Sequence, residues 1–313
     1  MQFAAVFPGQ GSQSTGMLAE LASSHNEIKN SYQEGSDALG KDLWAIVNDE
    51  DATALNQTEN TQPIMLAAGV AVWRIWLAQG GCLPVGMAGH SLGEYSALVA
   101  SGVLDFQDAI KLVAERASLM QQAVPEGVGA MAAILGLDDD VIVKICADAS
   151  ADKGIVEAVN FNSPGQVVIA GEAPAIDYAI EKLTEAGAKR AIKLPVSVPS
   201  HCSLLKDASS QLAATLEETT FSKAMYPVLQ NFEAKSFDSG TDQQVALAKQ
   251  LYQPVLWVDT VNNLNNEYKA DTIIEFGPGK VLFGLNRRIN RKLGNICISD
   301  NASLDKALAM CSA

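Results

Sequence analysis

Imidazole is scarce in this chain. Three histidines, His25, His90 and His201, stand in 313 residues, so acid–base chemistry near neutral pH must draw on one of them. The five cysteines, Cys82, Cys146, Cys202, Cys297 and Cys311, lie far apart, form no C-x-x-C and pair with no histidine at metal-ligand spacing. That pattern argues against a disulfide framework and against a metal site, and the five read as reduced thiols in a cytosol. Basic residues are outnumbered by acidic ones, 22 to 36, which leaves a net charge of −14. A surface of that sign repels a phosphate backbone, so no nucleic-acid partner is expected. Long apolar runs are missing too: 63–73 is cut by Arg74 and is too short to cross a bilayer. Segment 1–7 has no basic stretch and runs into Pro8-Gly9, so it reads as a first strand and not as a signal peptide. The expectation is a soluble, cytoplasmic protein without membrane association.

What is present is enough to build a core. Hydrophobic residues make up 48% and charged residues 19%, so apolar burial can offset chain entropy and wholesale disorder is excluded. At roughly 150 residues per domain, the length predicts two domains or one large domain carrying an insertion. Phe3–Phe7 is a β-branched and aromatic run that ends in a glycine-rich turn, Pro8-Gly9-Gln10-Gly11-Ser12-Gln13, before a helical pattern begins at Met17. Apolar residues at helical spacing follow through 25–60, and Thr61-Gln62-Pro63 opens a long helix. A second apolar strand, 85–88, leads into a helix from Ser91, and this strand-then-helix rhythm predicts a parallel sheet with helices on its faces.

Segment 128–197 follows a different rule. Strand at 130–137, helix to 149, strands at 155–159 and 166–170, helix at 172–187 and strand at 190–194 give the order βαββαβ, the ferredoxin-like unit. It therefore reads as a small ferredoxin-like domain inserted into a larger α/β domain made of 1–127 and 198–313. After it, strands are expected at 227–232 and 273–276 and a helix at 243–251.

Gly89-His90-Ser91-Leu92-Gly93 has the form G-x-S-x-G, preceded by an apolar strand and followed by a helical pattern. Small residues at both ends permit a tight turn that lifts the serine hydroxyl clear of the backbone. The helix that begins there points its positive end at the serine, where the Leu92 N–H can meet an oxyanion. The competing reading is an ordinary strand-to-helix turn with Ser91 as helix cap. A nucleophilic serine needs a base. His90 is adjacent and projects elsewhere, and His25 lies in a polar stretch that reads as surface. His201, 110 residues on in the proline-marked loop Val198-Pro199-Ser200-His201-Cys202, remains, against the alternative that it caps a helix from Leu204. No Asp or Glu stands out as a third triad member, which leaves a neutral group such as a backbone carbonyl to orient the ring. On the helix from Asp105, Arg116 falls on the shoulder of the apolar face and is expected to be half buried. There it either grips a carboxylate with its rigid fork or snorkels over the core edge.

Phe7-Pro8-Gly9-Gln10-Gly11-Ser12-Gln13 and Gly89-His90-Ser91-Leu92-Gly93-Glu94 resemble motifs of the malonyl-CoA:acyl carrier protein transacylases and of the related acyltransferase domains of polyketide synthases. Glu115-Arg116, the run Asn160 to Gln166, Val198 to His201, Gln250 to Val255 and Glu275 to Gly279 stand in the same order, so the likeness covers nearly the whole chain. The resemblance implies a hydrolase-like α/β fold with a ferredoxin-like insertion. It implies Ser91 as nucleophile, His201 as general base and then acid, and the Gln10 and Leu92 amides as oxyanion hole. It further implies Arg116 as the grip on the malonyl carboxylate and the Gln250 carbonyl as support for the histidine, and it places Gln62 and Asn162 near the pocket.

The activity so implied is transfer of malonyl from malonyl-CoA to the phosphopantetheine thiol of acyl carrier protein through a malonyl-serine, supplying fatty-acid synthesis, with no metal or cofactor. The carrier is acidic in this family, so its docking site is expected on one or both of two basic clusters, Arg287, Arg288, Arg291 and Lys292, and Lys189, Arg190 and Lys193. A solvated cationic helix face accounts for the same residues. The chain reads as a monomer. A serine hydrolase using the same elbow, and a catalytically silent docking subunit, are the rival readings.

Overall fold

The computed structural model describes residues 1–125, 127–196 and 198–311. Among them run ten strands: β1 (Phe3–Phe7), β2 (Gly86–Gly89), β3 (Gly129–Leu135), β4 (Val156–Ser163), β5 (Gln166–Glu172), β6 (Arg190–Lys193), β7 (Val228–Gln230), β8 (Lys235–Ser236), β9 (Thr272–Phe276) and β10 (Gly294–Ile298). They form a six-stranded sheet, β10-β9-β1-β2-β7-β8, and a four-stranded sheet, β4-β5-β3-β6. The first is parallel apart from its β7–β8 edge, and the second is antiparallel throughout. The α/β class with a βαββαβ unit is therefore the observed architecture.

Strand β1 is apolar at every position because both its faces are buried, as a central parallel strand requires. On one side lies the helix Thr58–Ala78, where Phe3, Trp73, Trp76 and Phe276 pack edge to face and Phe7 stacks on Phe276. At 21 residues this helix is longer than the apolar run suggested and reaches membrane-spanning length, but 83% of its most apolar window is buried inside the protein. It is a core helix. On the other side Val255, Trp257, Val261 and Leu264 cover Ala4, Val6 and Ala88.

Around the antiparallel sheet, the helices Asp139–Lys153 and Ala173–Glu185 close a separate core on Ile134, Val156, Val167 and Ile169. The antiparallel sheet is tied to the segment before helix Trp257–Asn266 where Val255 pairs with β4: its N–H donates to Val159 and its carbonyl accepts from Phe161, at 2.8 and 3.0 Å. Strand β3 stops two residues early, since Gly136 at φ +88° turns the chain away. Strand β4 runs four residues past the expected end at 159, through two register shifts that bring Asn160 and Asn162 into the strand. The 25–60 stretch resolves into three helices, Asn26–Leu39, Leu43–Asn48 and Thr53–Asn56. Of the expected large-domain and insertion limits, Glu126, Ser197, Ser312 and Ala313 lie outside the described residues.

The cysteine reading needs one correction. Cys82 and Cys311 form a disulfide, with Cα atoms 5.6 Å apart, tying the turn after the core helix to the C-terminal helix Asn301–Cys311. Only the chain's folded path brings together two residues 229 apart in sequence. Cys146, Cys202 and Cys297 are free and buried.

Candidate active site

Phe7 pairs with Gly89 at the carboxyl ends of β1 and β2, so the loops that follow emerge side by side. Open parallel sheets place ligands at this end. Ser91 sits in the second loop at φ +52°, a left-handed conformation that a residue with a Cβ adopts only under constraint. The flanking glycines show how tight the turn is. A Cβ on Gly89 would fall 1.8 Å from the Gly93 carbonyl carbon, and one on Gly93 would fall 2.1 Å from the Phe7 oxygen. The first loop is pressed against the second, since a Cβ on Gly9 would meet the His90 oxygen at 2.4 Å. Gln10 and Leu92 both line the pocket above Ser91, and neither of their backbone N–H groups has an acceptor among the described residues.

His201 approaches from the far side. It is 3% exposed and itself strained at φ +67°, held by its N–H bond to the Leu251 carbonyl at 2.9 Å. Its Nδ1 lies 2.6 Å from the Gln250 carbonyl oxygen and its Nε2 lies 2.7 Å from Ser91 Oγ. A carbonyl can only accept, so Nδ1 carries the proton and Nε2 presents its lone pair to the serine hydroxyl. Burial, reinforced by the nearby Arg116 charge, pulls the His201 pKa down from 6.5 to about 3, so the ring is neutral at physiological pH. His90 is turned elsewhere, with Nε2 2.7 Å from Asn162 Oδ1 and its ring beside Trp257. His25, at the start of Asn26–Leu39, is partly exposed and remote from the loop cluster.

Arg116 lies on the helix Phe106–Ala123 and is far deeper than half buried, with 1% exposure. Gln62, Tyr95 and Gln250, from three other helices, surround it, and none can be seen from the helix's own periodicity. Its Nη1 donates to Gln62 Oε1 at 2.6 Å and its Nη2 to Gln250 Oε1 at 3.0 Å, while Nη2 lies 3.4 Å from Ser91 Oγ and the guanidinium stands over the Tyr95 ring. Burial disfavours the charged form, yet guanidinium keeps its proton in proteins, so a positive charge stands beside the serine held by amide oxygens. Glu115, next in the chain, faces away and accepts a bond from Thr215 at 2.7 Å.

The cleft over Ser91 holds about 220 Å³. Gln10, Ser91, Leu92, Arg116, Asn162 and His201 meet in it, with Met131, Val168, Val198 and Leu285 as apolar wall. Two roomier concavities, of about 420 and 630 Å³, lie beside helix Lys206–Glu218 and lack Ser91. The basic residues Arg287, Arg288, Arg291, Lys292, Lys189, Arg190 and Lys193 are all exposed. Arg288 donates to Gln166, a pocket residue. Gly165, its neighbour, accepts from Gly136 at 2.8 Å, and the Lys189 N–H donates to Leu135 beside it, so Arg288 and Lys189 approach the same turn. Lys193 is partly engaged by Asp177 at 2.6 Å.

Three features had no part in the sequence reading. The Gln250 side chain adds to its carbonyl, its Nε2 donating to the Ser91 carbonyl and to Glu94 Oε2 at 2.9 and 3.0 Å. Asn231, one residue past β7, accepts from the Ser91 N–H through Oδ1 and donates from Nδ2 to Gly89 O, both at 2.7 Å. Glu94 is wholly buried, and burial pushes its carboxyl up to about 7. A polar residue closing a short apolar strand at a ligand-binding sheet end is the signal that marks Asn231.

Comparison with known proteins finds a match to the acyl transferase domain family over residues 5–291. The malonyl CoA-acyl carrier protein transacylase of Haemophilus influenzae is 52% identical over 97% of both chains, and that of Escherichia coli is 50% identical over 99% of both. Among solved structures, an acyl carrier protein S-malonyltransferase from Vibrio cholerae superposes with a TM-score of 0.95 at 52% identity, over 98% of this chain and 99% of that one. A malonyl-transacylase determined in complex with its type II polyketide acyl-carrier protein superposes with a TM-score of 0.97 at 50% identity, over 99% of this chain and 100% of that one.

Proposed function

Because the chain belongs to the acyl transferase family, among the malonyl-CoA:acyl carrier protein transacylases, we propose that it moves malonyl from malonyl-CoA to the phosphopantetheine thiol of acyl carrier protein through Ser91. The observation that carries the mechanism is the 2.7 Å contact between Ser91 Oγ and the unprotonated Nε2 of His201. Ser91 Oγ attacks the thioester carbon as its proton passes to Nε2. The carbonyl oxygen takes up the negative charge and turns toward the Gln10 and Leu92 amides, whose N–H groups are free to receive it. As the C–S bond breaks, the coenzyme A thiolate takes the proton from Nε2, leaving malonyl-serine. The carrier thiol then attacks that ester with Nε2 as base, and collapse returns the proton to Ser91 Oγ.

A carbonyl in place of a triad carboxylate fits this two-way traffic. The Gln250 oxygen orients the ring through the 2.6 Å bond but adds no formal charge to stabilise imidazolium, so the proton taken up is readily released to a thiolate. Arg116 faces the chamber hydrogen-bonded to the Gln62 and Gln250 amide oxygens and in an ion pair with no carboxylate among the described residues, though the buried Glu94 carboxyl lies near enough to feel its charge, and a malonyl carboxylate would complete the pair. Acetyl would leave it incomplete, which is the basis for selecting malonyl. The basic surface formed by Arg287, Arg288, Arg291, Lys189 and Arg190 is the docking site we assign to the acidic carrier, and it stands next to pocket residue Gln166. We also take the large α/β part, 1–127 and 198–313, and the insertion, 128–197, as separate domains, on the grounds of their separate sheets and cores. We also propose that the chain is cytoplasmic, where the Cys82–Cys311 pair would be held reduced, and monomeric.

Partition of the acyl-enzyme tests transfer against hydrolysis. A long-lived malonyl-serine without carrier protein and rapid turnover with it is the expected result. Release of free malonate at the same rate in both conditions would make the protein a thioesterase.

A further inference from the structure

Ser91 holds an unfavourable backbone conformation, so something outside the turn must hold it there. Both of its peptide groups are gripped from distant parts of the chain. Its N–H donates to Asn231 Oδ1 at 2.7 Å, and its carbonyl accepts from Gln250 Nε2 at 2.9 Å. Asn231 also seizes the Gly89 carbonyl two residues upstream at 2.7 Å, so the turn is pinned on either side of His90. The two holders are themselves joined. Glu94 Oε2 accepts from the Asn231 backbone N–H at 2.8 Å and from Gln250 Nε2 at 3.0 Å. Glu94, Asn231 and Gln250 are each 0% exposed, so no water competes for these bonds.

From this arrangement we infer that Glu94 is a positioning residue, whose single oxygen locks Asn231 and Gln250 together and thereby fixes the Ser91 hydroxyl in line with His201. The inference rests on the acyl-serine reading above and adds to it. Glu94 touches neither substrate nor Ser91 Oγ. It lies three residues after Ser91, in the first turn of the helix Gly93–Ala100, so the helix that follows the serine also carries the brace for its holders. Without the brace, Asn231 and Gln250 lose their shared acceptor and Ser91 can relax toward an ordinary right-handed or extended conformation, carrying Oγ away from Nε2. What matters is an acceptor oxygen at this place, and a carboxamide supplies one as well as a carboxylate does.

The test measures Ser91 reactivity in Glu94→Ala, Glu94→Gln and Asn231→Ala, each checked for folding by near-UV circular dichroism. Two probes are used: malonyl-CoA, and an alkyl fluorophosphonate that has no carboxylate for Arg116. Glu94→Ala and Asn231→Ala are expected to slow acyl-serine formation and fluorophosphonate labelling alike by tenfold or more, with KM for malonyl-CoA changed less than threefold. Glu94→Gln is expected to restore both rates to within threefold of the unaltered protein. Asn231→Ala carries the test should Glu94→Ala not fold. Unaltered labelling in the folded alanine variants would overturn the inference, and so would a Glu94→Gln protein as slow as Glu94→Ala. Failure of the underlying reading looks different, since the unaltered protein would then form no malonyl-serine at all.

Discussion

Replacing Arg116 by alanine should change the choice of acyl group and not merely the rate. The guanidinium is 1% exposed and is oriented by two amide oxygens, so a malonyl carboxylate entering beside Ser91 would form a desolvated, hydrogen-bonded charge pair. Removing one member of such a pair costs about 2–5 kcal/mol. At about 1.4 kcal/mol per decade, this is a fall of roughly 30-fold to several thousand-fold in kcat/KM for malonyl-CoA. Acetyl-CoA has no carboxylate to lose. Its kcat/KM should change by no more than about tenfold, since water entering the vacated space can satisfy the Gln62 and Gln250 oxygens. The assay is competitive acylation with malonyl-CoA and acetyl-CoA together, read by intact-protein mass spectrometry. The acetyl arm controls for damage to Gln250, which also supports His201 through its carbonyl. If both substrates fall by the same factor, Arg116 is a structural cation and the selectivity argument is refuted.

Gly93→Ala would drive a Cβ to 2.1 Å from the Phe7 oxygen, a backbone atom in the central strand, and should cost about 3 kcal/mol or more in denaturant unfolding; a neutral change would mean the elbow is looser than described. The acid limb of acyl-serine formation should lie far below the ordinary histidine value of 6.5, because the neutral form of His201 survives down to about 3. The same depressed value means that the unfolded chain binds the extra proton, so the stability tied to His201 is complete above about 6.5 and is lost as pH falls toward 3. His201→Gln should therefore flatten part of the acid-unfolding curve, and an unchanged curve would count against the buried neutral ring. Charge reversal of Arg287, Arg288 and Arg291 to Glu should raise KM for carrier protein at least about tenfold while acyl-serine formation from malonyl-CoA keeps its rate. An unaltered carrier KM would move the docking site elsewhere.

How far the sequence could be read depended on whether the deciding contact was local. Phe3–Phe7 was legible to the residue because a strand buried on both faces is a continuous apolar run, and Pro8-Gly9 ends it. The turn around Ser91 was legible because its glycines are demanded by backbone contacts within a few residues and by the neighbouring strand. Strand β10 was not, since Gly294–Ile298 is a short edge element paired on one side with β9 and packed against the helices Val281–Ile289 and Asn301–Cys311. Arg116 was placed on the right face of its helix, but its depth is set by Gln62, Tyr95 and Gln250 on other helices, which periodicity cannot register. The absence of a triad acid was visible in the sequence, and a carbonyl remained a possible substitute. That the carbonyl belongs to a residue whose side chain also reaches Arg116, Ser91 and Glu94 emerges only in three dimensions. Asn231 and the Cys82–Cys311 pair share that character, as contacts between residues 140 and 229 positions apart.

The central claim is that the Ser91 hydroxyl, deprotonated by His201, carries the acyl group between two thiols. It is tested most directly by intact-protein mass spectrometry after brief exposure to malonyl-CoA, followed by peptide mapping and repeated with Ser91→Ala and His201→Ala. One malonyl adduct per chain on Ser91, absent from Ser91→Ala, slow to form in His201→Ala and discharged on addition of carrier protein, is the predicted result. An adduct that persists in Ser91→Ala, or full transfer activity in that variant, would contradict it.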